Sequence, residues 1–374
     1  MKQRDVIGSA AYAALGFLAM TPGISSAQTE DSPGLEEIVV TGTRRAGVDP
    51  IESMRPIDVI SADSLAEQGS VNLNDALKTQ VVSLNVQKFS AQDGSAFIRP
   101  FSLRGLPPDQ TLVLVNGKRR HRAALVQITN QPLAAGAQGP DLAAIPSIAV
   151  EQIEVLRDGA AAQYGSDAIA GVINFRLKRD NRGASFIGRG GQFSKGDGTE
   201  YTAQANVGMP LTADGFFNVS AEYTRADPTS RGAQRPDAQA LIDAGNTAIK
   251  NPAQRWGNVE SEAARVFFNA GLPLGDKTDA YAFGNYGRTE GETEFFWRSP
   301  VSRTDIFTSI PLTNQPGGAR FNFREWFPGG FAPIFGTKII DMSLLAGVNG
   351  ETDGGLRYDF SAGGAENELN YRLS

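Results

Sequence analysis

From residue 201 onward the chain repeats one pattern, runs in which apolar side chains take every second position. Tyr201, Ala203, Ala205, Val207 and Met209 share one face, and Thr202, Gln204, Asn206 and Gly208 the other. Phe217, Val219, Ala221 and Tyr223 oppose Asn218, Ser220, Glu222 and Thr224 in the same way. Val266, Phe268, Ala270 and Leu272 continue the series, as do Met342, Leu344, Ala346 and Val348, then Leu356, Tyr358, Phe360 and Ala362. A period of two is the signature of strands with two unlike faces. Residues 278–289 are ambiguous, because Tyr281 and Phe283 oppose small Ala280, Ala282 and Gly284. Leu369, Tyr371 and Leu373 fall out of phase with 356–362, which predicts a bulge or turn around 365–367.

The connections narrow the choice further. They span residues 194–199, 211–214, 226–261, 273–277, 290–338 and about 351–354, so every second one is short and two run to 36 and 49 residues. Brief turns at one rim and long loops at the other are the pattern of an outer-membrane β-barrel; a soluble sandwich is the alternative. Seven or eight strands are present, and the chain stops inside an alternating run. Because lipid tolerates no unpaired sheet edge, this predicts a piece of a larger ring.

Composition excludes several chemistries. With no cysteine and His121 as the only histidine, the chain has no thiol nucleophile, no disulfide and no multi-histidine metal site. A net charge of -6 lacks the basic excess of a nucleic-acid binder. No ordered nucleophile and base are evident, so no enzymatic role and no cofactor are expected. Lys2 and Arg4 precede an apolar stretch from Val6 to Met20, and Ser25-Ser26-Ala27 follows. This reads as an export signal over residues 1–27, too short at about 22 Å to span a hydrocarbon layer of about 30 Å.

Residues 28–49 are rich in Asp, Glu, Gly and Pro around one apolar island, which predicts a mobile arm. Residues 50–180 read as a small α/β domain, with a strand at 57–60, a helix capped by Ser61, a second helix at 73–77, and apolar runs at 148–156 and 171–178. The strand at 111–115 ends in Asn116-Gly117, a tight-hairpin pair. Gly159, Gly165 and Gly171 punctuate the rest, without the spacing or the Lys-Ser/Thr ending of a phosphate loop. A domain of about 130 residues is roughly 36 Å across. Eight strands would enclose about 16 Å and twenty-two about 44 Å, so only the larger ring could hold this domain inside it. Such a ring needs roughly 600 residues, of which 184–374 would be the first part.

Four ordered motifs then carry a family resemblance. Glu36-Glu37-Ile38-Val39-Val40-Thr41-Gly42-Thr43-Arg44 resembles the TonB box and its flank in TonB-dependent outer-membrane receptors. Phe101-Ser102-Leu103-Arg104-Gly105 with Leu112-Val113-Leu114-Val115-Asn116-Gly117, then Ile153-Glu154-Val155-Leu156-Arg157-Asp158-Gly159, and finally the run from Gln163 to Asn174, resemble their plug domain. The resemblance implies an α/β plug followed by an antiparallel transmembrane β-barrel of about 22 strands.

It also implies a function: active import of a scarce solute such as a siderophore, another metal chelate, cobalamin or an oligosaccharide across the Gram-negative outer membrane. The implied partners are the TonB protein with its inner-membrane motor, outer-membrane lipid and a small-molecule ligand. Glu37, Ile38, Val39, Val40 and Thr41 would be the handle, paired by strand addition; the alternative is an ordinary first strand of the domain. Arg104 and Arg157 would seat the plug against barrel carboxylates, or be solvated. Lys118, Arg119, Arg120, His121 and Arg122, the densest charge run, would face a ligand or simply solvent. Trp256, Phe295, Phe296, Trp297, Trp326 and Phe327 suit stacking on sugars or aromatic chelates, or packing within loops. A passive porin or an adhesin is the competing class.

Overall fold

The computed structural model describes residues 57–67, 72–90, 93–128, 135–157, 164–311 and 320–374. The expected export signal over residues 1–27, the expected arm over 28–49 and its Glu37–Thr41 segment lie outside them.

Strand β1 (Ile57–Ser61) leads into helix α1 (Ala62–Glu67), and the Ser61 hydroxyl accepts from the Ser64 amide at 3.3 Å, which is the cap expected from sequence. Helix α2 (Leu73–Gln80) is capped by Asn72 and buries Leu73, Ala76 and Leu77. The short strands β2 (Leu84–Val86) and β3 (Phe101–Leu103) pair with each other. Strands β4 (Thr111–Val115), β5 (Lys118–Arg119), β6 (Val150–Leu156) and β7 (Gly171–Leu177) join β1 in a five-stranded sheet of order β1-β6-β7-β4-β5. β4 and β7 are parallel and the other pairs antiparallel. The continuous apolar reading of β4 and β7 follows from burial on both faces. Phe101, Ile153, Ile173 and Phe175 are fully buried at its centre.

The second sheet is a meander of seven antiparallel strands: β8 (Ala184–Gly191), β9 (Glu200–Pro210), β10 (Phe216–Ala226), β11 (Glu260–Gly275), β12 (Thr278–Glu294), β15 (Ile334–Glu351) and β16 (Arg357–Leu373). The long connection after β10 holds helix α3 (Pro236–Asp243), and that after β12 holds the small hairpin β13 (Ser309–Pro311) and β14 (Arg320–Asn322) with helix α4 (Phe323–Trp326). Short turns at one rim and long loops at the other are as the sequence pattern requires. Among the described residues no helix is long and apolar enough to cross a membrane.

One expectation is corrected. β16 runs from Arg357 to Leu373 in unbroken register with β15, so no bulge or turn interrupts residues 365–367. The change of phase is a change of which face is apolar. Tyr358 and Phe360 lie on the outward face, whereas Leu369 lies on the inward face and packs with Ile339, Leu125 and Ile98. The ambiguity over 278–289 resolves in the same way, since Phe283 belongs to the buried cluster of the N-terminal domain and Tyr281 packs against it. Where the domain presses on the sheet, the inward face is apolar too.

Candidate functional site

The charge run 118–122 lies at the junction of the two sheets. Its position follows from the hairpin before it: Asn116 and Gly117 have φ of 49° and 77°, the left-handed pair that reverses β4 into β5. β5 is the edge of its sheet, so alternate side chains point in opposite directions. Arg119 turns back to Asp167 of its own domain, and Arg122 approaches the same carboxylate at 3.7 Å. Lys118 and Arg120 point at the long sheet. Lys118 Nζ lies 2.7 Å from Asp359 of β16 and 5.6 Å from the centre of the Tyr281 ring.

Arg120 is the centre of the junction. Its guanidinium donates to Asp341 of β15, to Asn285 of β12 at 2.6 Å and to Ser343 at 3.3 Å, and it lies over the Phe267 ring at 5.8 Å. His121 Nε2 meets the other Asp341 oxygen at 2.8 Å, and Asn367 Nδ2 donates to that oxygen at 2.9 Å. Arg120 and Asp341 side chains are only 4% and 7% exposed, so neither charge is shared with bulk water. Two charges in so dry a place persist because each is hydrogen-bonded as well as paired.

Asp341 belongs to one inward row. Gln204, Glu222, Arg265, Gly287, Asp341 and Asn367 sit opposite one another on successive strands from β9 to β16. Within the row Arg265 and Gln204 each reach a Glu222 oxygen at 2.5 Å, and Gln204 also donates to Ser147 of the N-terminal domain at 3.1 Å. Asp141, on the domain side, is buried close to these charges. Burial pushes its carboxyl up to about 6, with the Arg265 and Arg120 guanidiniums opposing the rise and Asp341 adding to it. A second tie runs from Asn116 Nδ2 to Asn269 of β11 at 3.1 Å, while Asn116 Oδ1 accepts from the Leu177 amide at 2.9 Å.

Arg104 and Arg157, the residues expected to seat the domain, lie close together. Arg157 pairs with Asp58 of β1 at 2.7 Å, and Arg104 donates to the Arg157 carbonyl at 2.7 Å. These contacts lie within the domain, at the C-terminal ends of β3 and β6. Among the described residues Lys118 and Arg120 make ion pairs across the junction, and His121 adds a hydrogen-bond-distance contact to Asp341. Each side chain of the run meets a carboxylate, and Arg119 and Arg122, about half exposed, share the one carboxylate of Asp167.

Asp341, Asn285, Glu222, Arg265 and Asp359 belong to no motif that marks them as site residues in the sequence. Their signal was present: each is a polar residue on the face opposite the lipid-type apolar stripe.

The loop aromatics separate into three groups. Trp297 is 5% exposed, packs with Ala238, Ile249 and Ala253, and holds the long loops together. Trp326 and Phe327 join Phe321, Phe323 and Phe331 in a cluster within the second loop. Trp256, Phe295 and Phe296 instead continue inward to the N-terminal domain. A depression of about 330 Å³ opens among Glu262, Glu290, Lys338 and Arg372, whose side chains lie on the outward face, away from this junction.

Residues 49–172 match the family described as TonB-dependent Receptor Plug Domain. The chain is 30% identical over 207 residues to the ferric enterobactin receptor PirA of Pseudomonas aeruginosa, an alignment covering 52% of this chain and 27% of that protein. It is 32% identical over 171 residues to the vitamin B12 transporter BtuB of Vibrio vulnificus, covering 45% and 25%. The chain thus spans about a quarter of the length of these relatives. The crystal structure of a mutant ferric enterobactin receptor PfeA of Pseudomonas aeruginosa, bound to enterobactin, superposes with a TM-score of 0.55 at 18% identity over 83% of this chain and 41% of that one. At that identity the likeness is one of fold.

Proposed function

We propose that this chain, a member of the TonB-dependent receptor family through its plug domain and antiparallel barrel strands, imports a scarce solute across the outer membrane of a Gram-negative bacterium. The observation that carries the reading is the buried Arg120–Asp341 contact, which lodges a folded domain against the inner wall of the strands. A domain held there obstructs diffusion, so passage needs the contact to be released by work done from elsewhere. That favours active import over a porin. Glu37, Ile38, Val39, Val40 and Thr41 are the segment on which such work would act, by adding a strand to the TonB protein. Backbone pairing of this kind gives affinity with little demand on side chains.

The relatives' names describe a ferric chelate and cobalamin as their cargo, and both classes fall within this reading. The test is deletion of residues 37–41 in the full-length receptor. Uptake of the transported solute is expected to stop while binding at the cell surface is retained. Uptake that survives the deletion would favour the porin alternative.

A further inference from the structure

Asp141 brings a third carboxyl to a row in which both guanidiniums are already engaged. Arg120 donates to Asp341, Asn285 and Ser343, and Arg265 donates to Glu222. Between Arg265 and Asp341 the row holds Gly287, which sends no side chain inward, and the buried Asp141 carboxyl lies within the field of both flanking charges. Its hydrogen bond is to its own domain: Asp141 Oδ1 accepts from the Ala143 amide at 3.0 Å, capping the single turn over residues 142–144.

Charge decides what this cluster can hold. With all three carboxyls ionised, Asp141, Asp341 and Glu222 face the two guanidiniums of Arg120 and Arg265 and leave one buried negative charge uncompensated. A buried charge without a partner is costly, and a single proton removes it. Asp341 and Glu222 each hold a guanidinium within hydrogen-bond reach, so the proton belongs on Asp141. Burial pushes that carboxyl from 3.8 up to about 6, the direction this count requires. His121 also meets the cluster, with its Nε2 on the second Asp341 oxygen.

Resting on the import reading above, in which the plug must move, we infer that the junction is a proton-operated latch: the plug seats on the strands with one proton held on Asp141 and gives that proton to water as it separates. On separation the Asp141 carboxyl is rehydrated, its O–H proton passes to solvent and the carboxylate remains. Arg120, Arg265, Asp341 and Glu222 keep their charges. Because the seated carboxyl releases its proton at a higher pH than the wet one, acid holds the plug seated and rising pH loosens it, the change levelling off above about pH 6. From pH 5 to 7.5 the separated population should rise about tenfold.

The chain has no cysteine, so one introduced thiol reports separation without interference. Ser220→Cys sets it on the inward face of β10, buried and opposite Phe267, whose ring belongs to the plug's buried cluster. Labelling by a water-soluble maleimide is measured on the protein in detergent from pH 5 to 7.5, relative to the same thiol in the unfolded chain at each pH. The relative rate is expected to rise about tenfold in the parent background and to keep that rise with His121→Gln. It should stay flat with Asp141→Asn or Asp141→Ser, both of which keep an acceptor for the Ala143 amide. A thiol at Val172→Cys, in a cluster built from plug residues alone, should stay unlabelled across the range. A flat parent profile, a rise that survives both Asp141 variants, a rise lost with His121→Gln, or an equal rise at Val172→Cys overturns the latch. Neither solute nor the TonB protein is present, so such a result leaves the import reading to the deletion of residues 37–41.

Discussion

Arg120 and Asp341, 221 positions apart in sequence, form an ion pair buried between the plug and strand β15. The pair closes a contact that no local sequence preference could create. Breaking it from one side leaves the other charge stranded, which typically costs about 3–5 kcal/mol. Asp341→Ala should therefore lower the melting temperature of the protein and expose the plug to limited proteolysis. The joint change Arg120→Met with Asp341→Leu should recover most of the loss, because matched apolar groups remove the stranded charge. A double variant no better than the single one would show that the contact works through Asn285, His121 and Asn367 instead.

Asp141 makes stability depend on pH in the unusual direction for a carboxylate. Burial raises it from 3.8 to about 6 in the folded chain. The folded state then holds a proton that the unfolded state has released, so this contribution is complete below about pH 4 and is lost as pH rises through about 6. A shift of that size corresponds to on the order of 3 kcal/mol. Asp141→Asn keeps an acceptor for the Ala143 amide and carries no charge to bury. Chemical unfolding between pH 4 and 7.5 should show the parent losing stability relative to the variant across that window. Parallel curves would refute the assignment.

The Asn116-Gly117 turn is constrained twice, by backbone and by side chain. Asn116→Gly keeps the φ of 49° accessible but removes the bonds to Leu177 and Asn269. Asn116→Ala loses those bonds and adds the left-handed strain of an alanine, roughly 1–2 kcal/mol more. The order of stability from denaturant titration should be parent, then glycine, then alanine. An alanine variant equal to the glycine one would mean that the turn relaxes.

Much of this architecture was legible in the residues, and the failures are informative. The strands from 201 to 226 show an apolar outward face and a polar inward one, so alternation alone places Thr202, Gln204, Asn206 and Asn218 correctly. That rule assumes a watery interior. It breaks at Phe283, Ile339 and Leu369, where the plug supplies an apolar neighbour and the inward face becomes apolar in response. The misplaced bulge in β16 came from that substitution of protein for water. The charge run 118–122 was visible, but its partners Asp167, Asp341 and Asp359 lie too far along the chain for any spacing argument to find. Glu154 and Asn174, which in the sequence are only members of a motif, hold the hairpin that aims Arg120: Asn174 donates to Glu154 at 3.0 Å and accepts from the Gly117 amide at 3.0 Å.

The outward face permits the sharpest separation of a membrane wall from a soluble sheet. Leu344 is 58% exposed and stands midway along the outward apolar positions of β15, between Ile340 and Val348. Leu356, 69% exposed, lies in the short turn between β15 and β16. Were both surrounded by water, arginine at either site would change stability by no more than about 0.5 kcal/mol. In a bilayer the two sites differ: a charge facing lipid at mid-depth costs about 2–4 kcal/mol, and one near the interface about 0–1. Urea titration of the protein folded into phosphatidylcholine vesicles should therefore separate Leu344→Arg from Leu356→Arg by at least about 1 kcal/mol. Equal and small effects at the two positions would place this face in water.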